Sequence, residues 1–86
     1  MQTSIKLIQM RSAIESLTKE ILKMIEARNK IAAQLGLEKR KLNLPIEDKV
    51  REAQLLKRLK ATTCLPEKVV EELYATLAMA ALGSQV

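Results

Sequence analysis

Eighty-six residues with a net charge of +5 make one domain at most, and a chain this short leaves too much surface uncovered to be comfortably stable by itself, which favours assembly with further copies. Hydrophobic residues reach 48% while aromatic ones are 1%, the profile of an all-helical protein rather than a sheet. With no histidine and a single cysteine, Cys64, the composition excludes a zinc constellation, a serine or cysteine triad and an internal disulfide.

The first predicted helix runs from about Ser4 to about Lys39, weakly interrupted by Gly36. Apolar residues recur along it at spacings of three and four: Leu7, Met10, Ile14, Leu17, Ile21 and Met24, then Ile31 and Leu35. A helix of about 35 residues is roughly 50 Å long, more than two shorter helices of the same chain can cover. Its seam therefore calls for a second copy, in a dimer whose long helices pair like a coiled coil. The alternative is a solvent-exposed helix with an incidental repeat.

Arg28 stands in the seam where another Leu or Ile belongs. Burying a guanidinium unpaired is costly, so it calls for an anionic counter-ion. Lys39 follows Arg28 by eleven positions, roughly 16 Å along the helix and about 20° around it, so the two side chains can converge on one small ligand. Arg11 precedes Arg28 by seventeen residues, roughly 25 Å, and points to another side. It can reach an Arg28 site only across an antiparallel dimer.

The linker Lys41-Leu42-Asn43-Leu44 leads to Pro45, which suits the first position of a second helix, and Glu47 and Asp48 place negative charge at its N-terminal dipole. This helix is predicted to run to about Ala61. Asp48, Arg51 and Glu52 share one face of it. Taken by themselves they read as a surface salt-bridge ladder; beside Arg28 and Lys39 they suggest a pocket for a hydroxylated anion with two acidic groups. After Thr62, Thr63 and the loop residue Cys64, Leu65-Pro66-Glu67 opens a third helix, which Gly83 is predicted to cap.

The basic residues alternate with Glu along the helices and no stacking rings accompany them, which argues against nucleic-acid binding. The sequence has no run of 18 apolar residues and its amino terminus lacks the apolar core of a signal peptide. The expectation is a cytoplasmic protein without a membrane partner.

Met10-Arg11, then Ala27-Arg28-Asn29-Lys30-Ile31-Ala32, then Gly36-Leu37-Glu38-Lys39, then Leu44-Pro45-Ile46-Glu47-Asp48-Lys49-Val50-Arg51-Glu52 resemble, in order, the successive signatures of the all-helical chorismate mutases. The resemblance implies a single all-α domain over residues 1–86, with three helices per chain in an intertwined homodimer whose two active sites each borrow one residue from the partner. It also implies conversion of chorismate to prephenate, at the shikimate-pathway branch toward phenylalanine and tyrosine, without a cofactor or metal. Carried over by the resemblance, Arg28 and Arg11 of the partner subunit bind the substrate's carboxylates, and Lys39 bridges a carboxylate and the ether oxygen. Glu52 and the backbone near Asp48 take the ring hydroxyl, with Arg51 supporting that corner. Gln85 is the match for the residue facing the ether oxygen, in a register that depends on aligning Leu65, and Ala81 stands where some members carry a small polar residue. Two rival functions stand beside it: a lyase on the same scaffold that releases pyruvate from isochorismate and needs similar carboxylate clamps, and a noncatalytic helical dimerisation or regulatory module, which loss of the cations would mark and against which Arg11, Arg28, Lys39 and Arg51 count.

Overall fold

The computed structural model describes residues 4–85 and, within them, the side chains of residues 4–83. It contains three helices, α1 (Ile5–Lys41), α2 (Lys49–Ala61) and α3 (Glu67–Gln85).

The start of α1 is set by Ser4, whose hydroxyl accepts from the Leu7 N–H at 3.0 Å, an N-cap. Gly36 lies buried within the helix and does not interrupt it. The helix stops in a Schellman turn: the Leu44 N–H donates to the Lys39 carbonyl at 2.8 Å and the Asn43 N–H to the Arg40 carbonyl at 3.2 Å. This turn needs a left-handed residue, and Asn43 supplies it with φ 57°. Asparagine is the non-glycine residue that tolerates that region best.

The second helix begins at Lys49 rather than at Pro45. Asp48 is extended, with φ −129° and ψ 91°, and its carboxylate accepts from the Arg51 N–H at 3.0 Å. Meanwhile the Ile46 carbonyl accepts from Lys39 Nζ at 2.7 Å. A side-chain cap and a tertiary hydrogen bond together outweigh the preference of proline for a first helical position, and Pro45 lies in the connecting loop. At the far end Thr62 returns both its N–H and its hydroxyl to the Leu59 carbonyl, at 3.0 and 2.8 Å.

The third helix opens where expected, with the Pro66 carbonyl accepting from the Val69 and Val70 N–H groups. It continues through Gly83, which has no positive φ and does not cap it.

Helix α3 packs against α1 on one side and α2 on the other. Among the described residues the buried hydrophobics are small, Ala32, Val70 and Ala81, and no large side chain is fully buried. Lys60 and Glu71 form an ion pair that ties α2 to α3. The result is elongated, 61 × 24 × 18 Å, with a radius of gyration of 17.4 Å, where a compact chain of this length has about 12 Å. Every residue from Ser4 to Met24 is exposed, because α3 reaches only the C-terminal half of α1. Among the described residues no helix is long and apolar enough to cross a membrane.

Candidate active site

A cavity of about 230 Å³ opens where the three helices and the 42–48 loop meet. Helix α1 contributes Arg28 and Lys39 to its wall, α2 and its cap contribute Asp48, Arg51 and Glu52, and α3 contributes Tyr74, Ala78 and Ala81. Apolar surface fills the gaps, including Ile31, Leu35, Ile46 and Leu55.

Arg28 is half-buried and donates through Nη1 to the Leu77 carbonyl of α3 at 3.0 Å. The seam expectation is thereby corrected in part: Arg28 is oriented by a backbone acceptor, and four of the five guanidinium N–H donors are left for a ligand. From Arg28 onward the heptad pattern serves a different purpose, since Ile31 and Leu35 line the cavity while Leu7 to Met24 face outward.

Lys39 is also half-buried, held by its bond to the Ile46 carbonyl at 2.7 Å. Its own carbonyl accepts from Leu44, so one residue ties both ends of the turn that aims its ammonium. An ammonium has three donors, and two remain.

Asp48 is engaged as the α2 cap, which leaves Glu52 as the carboxylate available to the cavity. Among the described residues no ion pair joins Asp48, Arg51 and Glu52, so the surface-ladder alternative is not what these side chains form.

Arg11 is exposed on the free half of α1 and is not among the residues lining the cavity. The Gln85 side chain lies outside the described residues. Cys64 is free and exposed in the loop before α3.

One polar group was not read from the sequence. Tyr74 is mostly buried in the cavity wall, and burial pushes its phenol above the ordinary tyrosine value; nearby Glu52 pushes the same way, while Arg28 and Arg51 pull back. The signal was available, because the sole aromatic residue shares a face of α3 with Ala78 and Ala81 at spacings of four and seven.

Three cations and one available carboxylate around a small, partly apolar cavity suit a hydroxylated dianion. The family model for chorismate mutase type II matches residues 10–86. The chain belongs to the type II chorismate mutases. These are isomerases of aromatic amino acid biosynthesis whose substrate is chorismate, and the all-helical architecture with its long first helix is that of the chorismate mutase type II domain. No individual curated protein matches the chain closely enough to refine the assignment.

Proposed function

We propose that residues 1–86 act as one cytoplasmic chorismate mutase domain that rearranges chorismate to prephenate as an antiparallel homodimer, with Arg11 of each chain completing the pocket of the other. The observation that carries this reading is the gathering of Arg28, Lys39, Arg51 and Glu52 around one cavity.

The rearrangement is unimolecular: the ether C–O bond breaks as a C–C bond forms, and no nucleophile or base is needed. A protein accelerates it by holding the compact conformer in which the two ends of the substrate meet, and by stabilising the charge that builds on the ether oxygen. Arg28, and Arg11 of the partner subunit, clamp the carboxylates. Lys39, already aimed by Ile46 and Leu44, bridges a carboxylate and the ether oxygen, with Gln85 the second donor to that oxygen. Glu52 and the Asp48 backbone accept from the ring hydroxyl, and Arg51 supports that corner.

The dimer is supported by surface. The chain exposes 7443 Å², about 2,300 Å² more than the ~5,100 Å² of a compact monomer of its mass. That excess is on the scale of obligate interfaces. It includes the unpartnered stripe of Leu7, Met10, Ile14, Leu17, Ile21 and Met24, between 37% and 66% exposed. If Arg11 of one chain lies beside Arg28 of its copy, the two-fold axis crosses α1 between Lys19 and Glu20, midway between those arginines. Leu17 then faces Leu22 of the second copy.

The test is to follow chorismate consumption and identify the product. Prephenate with no pyruvate supports the proposal; pyruvate release from isochorismate in its place would make the chain a lyase, and inactivity toward both a noncatalytic module.

A further inference from the structure

We propose that Tyr74 is a substrate-binding residue of this pocket, its phenol donating a hydrogen bond to the carboxylate that Arg28 holds. The inference rests on the chorismate reading above and extends it to a residue that reading leaves without a role.

Tyr74 projects from the face of α3 that also carries Ala78 and Ala81, and all three line the cavity. The two alanines offer no side-chain donor or acceptor, so on that stretch of the wall the phenol is the polar group α3 presents. Among the described residues nothing donates to or accepts from its hydroxyl, although the side chain is mostly buried. The hydroxyl is not sealed off within the protein, and the group that can meet it is whatever occupies the cavity.

The charges the phenol senses line the same cavity. They are Glu52, Arg28 and Arg51, with Lys39 not among them. The hydroxyl therefore stands between Glu52 and Arg28, within reach of a carboxylate that the guanidinium holds. Burial and Glu52 keep it protonated through the neutral range, so toward a carboxylate it acts as a neutral donor.

The consequence for kinetics is specific. A carboxylate keeps its charge throughout the rearrangement, so a donor to it binds ground state and transition state equally and its loss raises KM without lowering kcat.

The experiment is steady-state kinetics of Tyr74→Phe, with the thermal midpoint recorded to verify folding and prephenate affinity measured by calorimetry. The expected result is a KM raised about tenfold, the scale of losing a hydrogen bond to a charged group, with kcat within twofold. Prephenate, which retains both carboxylates, should bind weaker by a similar factor. KM and kcat both within twofold of wild type would overturn the assignment. A fall in kcat with KM unchanged would also overturn it, by moving the phenol to the ether oxygen. The same measurement in a Glu52→Gln background closes the remaining route: a KM effect that disappears there would make Tyr74 a positioning residue for Glu52 and not a substrate contact. Absence of mutase activity in the wild-type protein would instead remove the chorismate reading, and this inference with it.

Discussion

Lys39 shows at the level of one residue how this chain orients a charge. Its carbonyl closes the turn after α1 and its ammonium donates to Ile46 at 2.7 Å, so the donor is aimed before any ligand arrives. The sequence placed Lys39 on the same side as Arg28 by helical arithmetic, but its bond to a loop carbonyl depends on a turn that no spacing rule describes. Lys39→Ala is expected to lower kcat by about a hundredfold to a thousandfold and, by releasing the loop, to raise KM as well, while circular dichroism shows the helices intact. Lys39→Arg should not rescue it, since a planar fork does not replace a compact ammonium; near-wild-type kcat in either variant would remove Lys39 from the chemistry. Two other residues carry a pH dependence on the alkaline side. Lys60 is raised above 10.5, chiefly by its hydrogen bond to Glu71, and Tyr74 above 10.0, chiefly by burial. A folded-state value above the unfolded one means that the contribution is complete below the unfolded value and lost as pH rises through the folded one. Urea denaturation should therefore show no loss from these groups on the neutral side of pH 10, and a decline above it that Tyr74→Phe and Lys60→Met each reduce.

Between elements, the turn from α1 to α2 decides whether the site exists. Pro45 predicts the start of α2 and Asp48 actually provides it, and the difference matters because the four residues from Pro45 to Asp48 become the strand of loop that Lys39 grips and that brings Ile46 and Asp48 to the cavity wall. Sequence reasoning located the second helix and its charged face but read proline more strongly than the aspartate cap, since both are legitimate start signals and only the competition for the Ile46 carbonyl separates them. The same limit explains Gly83: a glycine near a helix end reads as a cap, yet without a left-handed φ it is simply one more turn of α3. Asn43 is the hinge of the arrangement, with φ 57°. Asn43→Gly should leave stability unchanged or slightly raised, because glycine takes the left-handed region without steric cost. Asn43→Val should lose about 1–2 kcal/mol in chemical denaturation, together with activity, since Lys39 and Ile46 hang on that turn. A valine variant as stable and active as wild type would mean that α1 stops for another reason.

For the whole molecule, the deciding fact is that α1 is far longer than anything its own chain packs on it. A helix of 37 residues spans about 55 Å, and all of it up to Met24 is exposed, including a stripe of large apolar side chains. This much was legible from the heptad spacing, because apolar periodicity is a direct record of which face is to be covered; the covering chain is not in the sequence pattern, only the demand for it. Arg11 belongs to that free half, seventeen residues from Arg28, and roughly 25 Å of helix keeps the two from sharing a pocket within one chain. On the shared-site reading, Arg11→Ala and Arg28→Ala are each nearly inactive as homodimers. Unfolded together and refolded as an equal mixture, about half the dimers pair one variant with the other. Each such dimer has one pocket with both lesions and one with neither, so the mixture should recover about a quarter of wild-type activity when pairing is random and the pockets act independently. No recovery, with mixed dimers demonstrated by mass spectrometry, would place both arginines in one pocket or leave one without a role there. The antiparallel arrangement would then have to give way to another pairing of the exposed stripes.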